Sequence, residues 1–598
     1  IKSVLRNAKI GDKTTVGPFA NVHTNADVGK ECRVGNFVEI KNATVGQRVK
    51  AAHLAYVGDV DIGDLCNVGC GSIFVNYDGK NKHRSTVGES VFIGSNSNVI
   101  APVNIENNAY IAAGTTVTVD LPKNCMCIGR SRETVKENRT KYVKNQFDMK
   151  YFGTDGIRQK ADYLLDKQIP YLLGKALSQS GAKVIVARDV RTHSKEIEKQ
   201  LCKGLLEGSA QIWLAGVLPT PALAYTAQTQ KADYAVMITA SHNAPEFNGL
   251  KVFGKLGKKL SKEEEIALDD KLVELKNNPT PPVSLVDVCA DALTEDEKLS
   301  ELKITVSAQN HRIRIVDGAE FLYAKHVKSM FPRFDGVKVR LDCAYGCFAT
   351  LAPAIFLSLG AIVCAEHNVR DGEKVNVNCG STHIESFAKR VSPDEFGFAF
   401  DGDGDRVIAV VNGKIYDGDA MLLALSTLYR LQGKLKKRFI VGTVLSNTKL
   451  QRELAYQNVA LVRADVGDKN VLDALLAHGC MLGGEKSGHI LMLDKENTGD
   501  GLVTALSLLE VKRTVGSLPK FTPYPMLELN VYADNPSKNL ASGDFQEKIN
   551  KVNALYAKSG RLIVRPSGTE PYIRITYECF SSSPDAIFDE IKKIFESE

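Results

Sequence analysis

An aliphatic residue recurs at every sixth position in the first part of this chain. Ile10, Val16, Val22, Val28, Val34 and Ile40 form one series, and Val87, Ile93, Val99, Ile105, Ile111 and Val117 form a second. Gly follows several of them, at Gly11, Gly17, Gly29, Gly35, Gly88 and Gly94. A helix would show spacings of three and four. An ordinary antiparallel sheet would not hold a strict period of six for so long. The period fits a prism-like solenoid. Each hexad makes one short strand, its aliphatic side chain points inward, its Gly eases the corner, and three hexads close one coil. The period breaks once, between Phe74 and Val87, where an insertion from Val75 to Arg84 carries Lys80, Lys82, His83 and Arg84. Insertions in solenoids form loops on one face, often the binding face. A plain solvated loop is the alternative.

The pattern decays after Ala113, and the polar residues 133–148 read as a linker between the solenoid, 1–132, and a second protein-like segment. That segment opens at Met149. Its apolar runs alternate with helical patterns: 183–187, 234–238, 337–341, 396–400 and 439–442 read as strands. Such alternation predicts α/β architecture with mostly parallel sheets. The charged stretch 258–278 reads as a solvated helix and linker, ended by Pro279, Pro281 and Pro282.

At roughly 100–200 residues per domain, a chain of this size predicts about three to six domains. Apolar residues make up 44% and charged residues 24% of the 598, which excludes disorder as the main theme. The net charge, 76 − 70 = +6, suits small anionic substrates and is too dilute to argue for nucleic acid. No apolar run approaches the ~18 residues of a membrane span, and no signal peptide opens the chain. The expectation is a cytoplasmic enzyme. The 13 cysteines lack paired C-x2-C spacing and read as reduced thiols. The start at Ile1, without Met, reads as a cut end.

Five motifs in the second segment carry chemistry. Thr239-Ala240-Ser241-His242-Asn243 follows an apolar strand, where open α/β sheets bind ligands; there is no G-x-S-x-G frame for a hydrolase, and a helix cap is the plain alternative. Asp401-Gly402-Asp403-Gly404-Asp405-Arg406 turns three carboxylates toward one hard cation. An EF-hand fails, because Arg406 and Asn412 stand where its Gly and bidentate Glu belong. Gly483-Gly484-Glu485-Lys486-Ser487-Gly488-His489 offers Glu485 and Ser487 to sugar hydroxyls, with a mere turn as the alternative. Arg565-Pro566-Ser567-Gly568-Thr569-Glu570-Pro571 reads as a phosphate cradle, with a plain Arg-bearing turn as the alternative. Tyr151 through Arg158 adds Arg158 on the phosphate side.

Together these motifs, in this order, resemble the α-D-phosphohexomutase superfamily, and Asn378-Cys379-Gly380-Ser381-Thr382-His383 resembles its phosphoglucosamine branch. The resemblance implies four domains around one cleft: 149–300, 301–392, 393–520 with the metal and sugar loops, and 521–598. It implies a phosphoryl group carried on Ser241, Mg²⁺ held by that group with Asp401, Asp403 and Asp405, and Arg158, Lys251 and His383 in or near the active centre. Arg406, Glu485 and Ser487 would bind sugar, and Arg565, Ser567, Gly568 and Thr569 the non-reacting phosphate. Ala244, Gln159 and Lys469 depart from the family's usual Pro, Gly and Arg.

The solenoid resembles the left-handed β-helix acetyltransferases that act on glucosamine 1-phosphate. The carrying segments are 35–41, 53–59, 76–79 and 112–116. The resemblance implies His53 as general base, Lys41, Tyr56, Asn67, Asn76, Tyr77 and Lys82 at the sugar phosphate, and Ser95, Ala113 and Arg130 at acetyl-CoA. It implies a site between subunits of a trimer, or a hexamer if the mutase half also pairs, and a uridylyltransferase domain upstream. His23 stands where that family has an Arg, and Cys70 where it has a small Ala. The joint expectation is a fused enzyme that makes glucosamine 1-phosphate from glucosamine 6-phosphate and then acetylates it, feeding cell-wall polymers. The alternatives are a mutase on an inactive trimerisation scaffold, or a mutase for glucose or mannose phosphates.

Overall fold

The computed structural model describes residues 2–129, 149–153, 155–178, 181–278, 303–306, 310–567, 571–581 and 583–596. The chain divides into two compact units, Ile1–Arg139 and Thr140–Glu598. The cysteines among the described residues are free. No described helix is long and apolar enough to cross a membrane.

The first unit is a parallel β-helix. Val22 lies against Ile40 and Ile40 against Val57, one coil further along. Across the insertion the step lengthens, so that Phe74 meets Val99. The hexad positions Val22, Val28, Val34, Ile40, Ile93, Val99, Ile105, Ile111 and Val117 fill the buried interior. The corners explain the glycines: a Cβ on Gly35 would lie 1.7 Å from the Ala52 carbonyl oxygen. The insertion is less free than its charge implies, because His83 pairs with Asp78 at 2.7 Å and Arg84 grips Asp61 on the coil beneath.

The described residues of the second unit hold four sheets. In the first, strands Lys183–Arg188, Gln211–Val217, Tyr234–Ile238 and Ile313–Asp317 are parallel, with antiparallel edges at Ile157–Lys160, Phe247–Phe253 and Lys303–Val306. The second joins Lys338–Asp342, Ile362–Glu366, Phe396–Phe400, Val407–Val411 and Lys414–Tyr416. The third joins Phe439–Thr443, Ala460–Ala464, Leu482–Gly484 and Ile490–Met492. The fourth is antiparallel: Met526–Tyr532, Tyr572–Cys579 and Gly560–Pro566.

Two expected boundaries move. Residues 303–317 complete the first sheet rather than opening the second domain, and residues 396–416 belong to the second sheet, so the triple-aspartate loop sits there and not in the third domain. Ile313–Asp317 joins Gln211–Val217 in parallel, and Val407–Val411 returns antiparallel to Phe396–Phe400, pairings that sequence spacing does not reveal. The charged stretch is also corrected. Helix Lys262–Asn277 starts on a capping box from Ser261 and Glu264. One face of it packs inward through Ile266, Leu268 and Leu272, and buried Asp269 accepts the amide N–H groups of Lys150, Tyr151 and Phe152.

Candidate active site

Strand Tyr234–Ile238 delivers Ser241 to the interior of the second unit, where it is fully buried. Its φ of 53° is left-handed, which costs a non-glycine residue on the order of 1–3 kcal/mol. The Ser241 amide donates to Thr239 Oγ1 at 2.9 Å, and its hydroxyl donates to Asp401 Oδ2 at 2.6 Å. Asp401 lies on the turn after strand Phe396–Phe400. Gly404 allows that turn at φ 78°, and a Cβ there would strike the Phe348 ring at 2.4 Å.

Asp401, Asp403 and Asp405 present oxygens that all lie within 4.8 Å of one another, and all three residues are buried. Lys251, from strand Phe247–Phe253, reaches Asp403 at 2.9 Å, Asp405 at 2.5 Å and Asp155 at 3.1 Å. Burial works against charge on Asp155 and Asp405, but the neighbouring cations, Lys251 first, hold both well below the usual carboxylate range. The same anions hold the Lys251 ammonium above its ordinary value despite burial. Asp401 has the opposite fate: burial, then the charges of Asp405 and Asp403, push its carboxyl well up. The Oδ1 atoms of Asp403 and Asp405 are buried with no hydrogen-bond partner. Orphaned anionic oxygens grouped in this way fit a hard divalent cation.

Beside this group lies a cavity of ≈ 270 Å³, lined by Asp155, Arg406, Asp468, Glu485, Ser487 and Arg574 among others. Glu485 is fixed by the Gly467 amide, which donates to its Oε1 at 2.9 Å. Arg158 pairs with Asp155 at 2.5 Å and donates to Asn243 Oδ1 at 3.3 Å, beside the serine loop. Arg565 and Arg574 face each other across paired strands. Burial, then the Arg574 charge, lowers the Arg565 pKa. Two half-buried guanidinium groups side by side make a site for a dianion. Ser567 is buried next to them, while Gly568 and Thr569 lie outside the described residues.

His383 lies three residues past Gly380, where a Cβ would meet the Phe400 carbonyl oxygen at 2.6 Å, just before Asp401. It stands exposed on the single turn Ser381–His383, and no side-chain hydrogen bond joins it to the described residues of the cluster. Several groups that sequence reasoning passed over do converge there. Thr220 donates to Asp403 Oδ2 at 2.6 Å, Lys259 bridges Asp155 and Asp468, and His489 lies 3.8 Å from Asp405. Arg574 sits nine positions from the motif arginine on the returning strand, where only strand register could have revealed it. Lys469, the departure from Arg, is engaged by Glu265 at 2.6 Å. Asp342, His367 and Cys379 form a second compact group within 4.8 Å. There both carboxylate oxygens already accept N–H groups, from His367 and Ala344 and from Gly380, so the group reads as a loop brace.

In the β-helix unit, His53 is exposed on strand Lys50–Gly58, in register with Asn36. Asn76 donates to the Tyr56 hydroxyl at 3.2 Å and to Asp59, a buried carboxylate that also accepts from Asn42 at 2.5 Å. Asp59 is thus a hub that no motif announced. Lys41 lies in register with Gly58, and Asn67 sits on the next coil. Tyr77 closes the insertion by donating to the Gly79 carbonyl at 2.8 Å, and Lys82 is exposed beside it. Ser95 and Ala113 lie at the same corner of successive coils, where the Gly114 amide donates to the Ser95 carbonyl at 2.8 Å. Arg130 lies outside the described residues. His23 contacts Glu39 Oε1 at 3.0 Å.

The family described as phosphoglucomutase/phosphomannomutase matches this chain in three pieces: its α/β/α domain I over residues 149–278, domain III over 417–521 and the C-terminal domain over 528–592. A protein named phosphoglucosamine mutase from Caldanaerobacter subterraneus subsp. tengcongensis is 37% identical over 443 residues, covering 71% of this chain and 94% of that protein. The chain belongs to the phosphoglucosamine mutase family. A second member, from Rhodopseudomonas palustris strain BisA53, is 36% identical over 446 residues, 72% of this chain and 94% of its own length. The family's matched segments hold Arg158, Ser241, Lys251, Glu485, Ser487, Arg565 and Ser567. The bacterial transferase hexapeptide family matches residues 7–42 and 84–118, outside the part shared with the mutases. Among solved structures, a phosphoglucomutase/phosphomannomutase family protein from Burkholderia thailandensis shares the mutase fold with a TM-score of 0.57 at 22% identity, over 76% of this chain and 98% of that one. The open form of parafusin from Paramecium shares it with a TM-score of 0.54 at 15% identity, over 74% and 94%.

Proposed function

We propose that the second unit interconverts glucosamine 6-phosphate and glucosamine 1-phosphate through a phosphoryl group carried on Ser241. The observation that carries this reading is the buried Ser241 hydroxyl, 2.6 Å from Asp401, beside two carboxylates with orphaned oxygens. Ser241, Asp401, Asp403 and Asp405 would hold Mg²⁺, which supplies charge stabilisation for phosphoryl transfer. The phosphorus–oxygen bond to Ser241 breaks as the sugar O1 takes the phosphoryl group, and the C6 phosphate then returns to Ser241 Oγ. Between the transfers the sugar turns over in the cleft. Glu485 and Ser487 hold its hydroxyls, while Arg565, Ser567 and Arg574 hold whichever phosphate is not reacting. Lys251 compensates the charge of Asp155, Asp403 and Asp405. Replacing Ser241 with Ala should abolish turnover. Comparing glucosamine, glucose and mannose 6-phosphates on the wild type tests the sugar preference, and a preference for glucose or mannose would overturn that part of the proposal.

The first unit is proposed to N-acetylate glucosamine 1-phosphate with acetyl-CoA, using His53 as general base. The hexapeptide match and the Tyr56–Asn76–Asp59 arrangement support this. His53 and Ser95 lie open on the surface, as do Phe19, Phe37 and Leu54 at one corner and Phe92, Tyr110 and Met126 on one face. A second copy of the chain would cover such apolar rows and complete the site, so a trimer or hexamer is part of the proposal. A monomer by light scattering at micromolar concentration would refute that part. One observation favours the inactive scaffold instead: the two His23 ring nitrogens are taken by Glu39 at 3.0 Å and Thr24 at 2.8 Å, which leaves neither turned to a phosphate. Acetyl transfer to glucosamine 1-phosphate by the intact chain decides between the two.

A further inference from the structure

The Ser241 loop needs a device that holds its left-handed backbone in place. Beneath it lies Arg191, whose side chain is wholly buried. Arg191 Nε donates to Asp189 Oδ2 at 2.9 Å. Nη2 donates to the carbonyls of Ser241 at 3.0 Å and Asn243 at 2.6 Å, and Nη1 to those of Ala244 and of Phe247, the latter at 2.9 Å. All five guanidinium hydrogens are thereby used, three of them on the serine loop and one on the first residue of strand Phe247–Phe253. Asp189 is itself fixed, accepting also from Ser194 Oγ and Thr239 Oγ1, each at 2.8 Å. Thr239 Oγ1 in turn receives the Ser241 amide.

The Ser241 carbonyl has a second donor, from a different sheet domain. Asn376 lies on the loop after strand Ile362–Glu366, and its Nδ2 donates to the Ser241 carbonyl at 2.8 Å and to the Asn243 carbonyl at 3.2 Å. Two carbonyl acceptors identify the atom facing them as the amide nitrogen. The loop itself is braced. Asp342 accepts the Gly380 amide at 2.9 Å, and Asn376 N–H donates to the Ala344 carbonyl at 3.1 Å. Gly372 sits so close to the Val190 carbonyl that a Cβ would lie 2.4 Å from it, which locks this loop against the segment carrying Arg191.

We propose that Arg191 and Asn376 are positioning residues for the phosphoryl-carrying serine: together they fix the Ser241 carbonyl from two domains, and so aim the Ser241 side chain at the triple-aspartate loop. Neither lines the cavity beside the aspartates, so neither is assigned a contact with sugar. The proposal rests on the reading of Ser241 given above. Its logic is that of near-attack geometry, in which a small displacement of a reacting atom costs rate without changing affinity.

The test uses the full chain with Mg²⁺ and glucosamine 6-phosphate. Asn376→Ala should lower kcat about tenfold or more, toward the ~10²-fold that a 1 Å misplacement costs, with KM within about threefold of wild type. Asn376→Asp, of the same shape but presenting an oxygen to the Ser241 carbonyl, should be at least as slow. Arg191→Lys should also lower kcat, because three ammonium hydrogens cannot replace the planar fork. Urea denaturation followed by Trp213, the single tryptophan, shows whether each variant is folded; if Arg191→Lys is not, the Asn376 pair decides. A kcat for folded Asn376→Ala within about threefold of wild type, or a fall in kcat/KM carried by KM alone, overturns the proposal. Absence of turnover in the wild type would instead overturn the reading of Ser241 itself.

Discussion

Replacing Lys251 with Met is the sharpest probe of the site's electrostatics. The ammonium stands within 3.1 Å of Asp155, Asp403 and Asp405, and only 4% of its side chain is exposed. Removing one partner of a buried ion group typically costs about 3–5 kcal/mol, because charge is left uncompensated. In the wild type the depressed carboxylates Asp155 and Asp405 contribute stability that is present above their unfolded pKa and lost as pH falls through the folded values. Without Lys251 their folded pKa values rise above the unfolded ones, so the sign reverses and the loss grows as pH increases from about 4. The variant should therefore be most damaged at pH 8 and least at pH 5. Trp213 lies in the same sheet as Lys251, so its fluorescence reports the relevant unfolding. With m of about 1–3 kcal/mol/M in urea, a loss of this size moves the midpoint by about 1–5 M at pH 8. Millimolar Mg²⁺ should recover part of it, by supplying another cation to the same oxygens. An equal midpoint shift at both pH values, with no response to Mg²⁺, would refute the reasoning.

Other expectations follow from single residues. Burial pushes the Glu198 carboxyl from 4.5 up to about 7, against the opposing pull of Arg188. Its stabilising share is complete below the unfolded pKa and declines as pH rises through about 7. Glu198→Gln should flatten this dependence, by on the order of 3 kcal/mol between pH 4 and 8, in urea titrations read by Trp213. An unchanged slope would contradict the assignment. Gly404→Ala should slow the mutase and weaken its Mg²⁺ response, since the turn is left-handed and the Phe348 ring leaves no room; a variant with wild-type Mg²⁺ dependence would show that the turn tolerates the methyl. His53→Ala should cut acetyl transfer by about 10²–10⁴-fold while leaving mutase turnover intact. Full retention of acetyl transfer would mean that the base lies elsewhere.

The β-helix was legible almost residue by residue, because each inward hexad position is an independent vote for the same period. The Ser241 and triple-aspartate motifs were equally plain, since each packs several polar residues into a loop just after a strand. What stayed hidden depends on pairing at a distance. Arg574 enters the site only through its register with Arg565, and Asp59 only through the coils that bring Asn42 and Asn76 around it. The misplaced domain boundaries have the same origin. Strands Ile313–Asp317 and Val407–Val411 return to sheets already begun, and nothing local to those segments says which neighbour they choose.

The central claim is that Ser241 carries the phosphoryl group. It is tested most directly by incubating the full chain and Mg²⁺ with glucosamine 6-phosphate labelled at its phosphorus, quenching during turnover, and mapping the label after proteolysis. The account predicts label on the peptide containing Ser241, and none on that peptide from Ser241→Ala. Conversion of the sugar phosphate by the wild type with no label reaching Ser241 would contradict it.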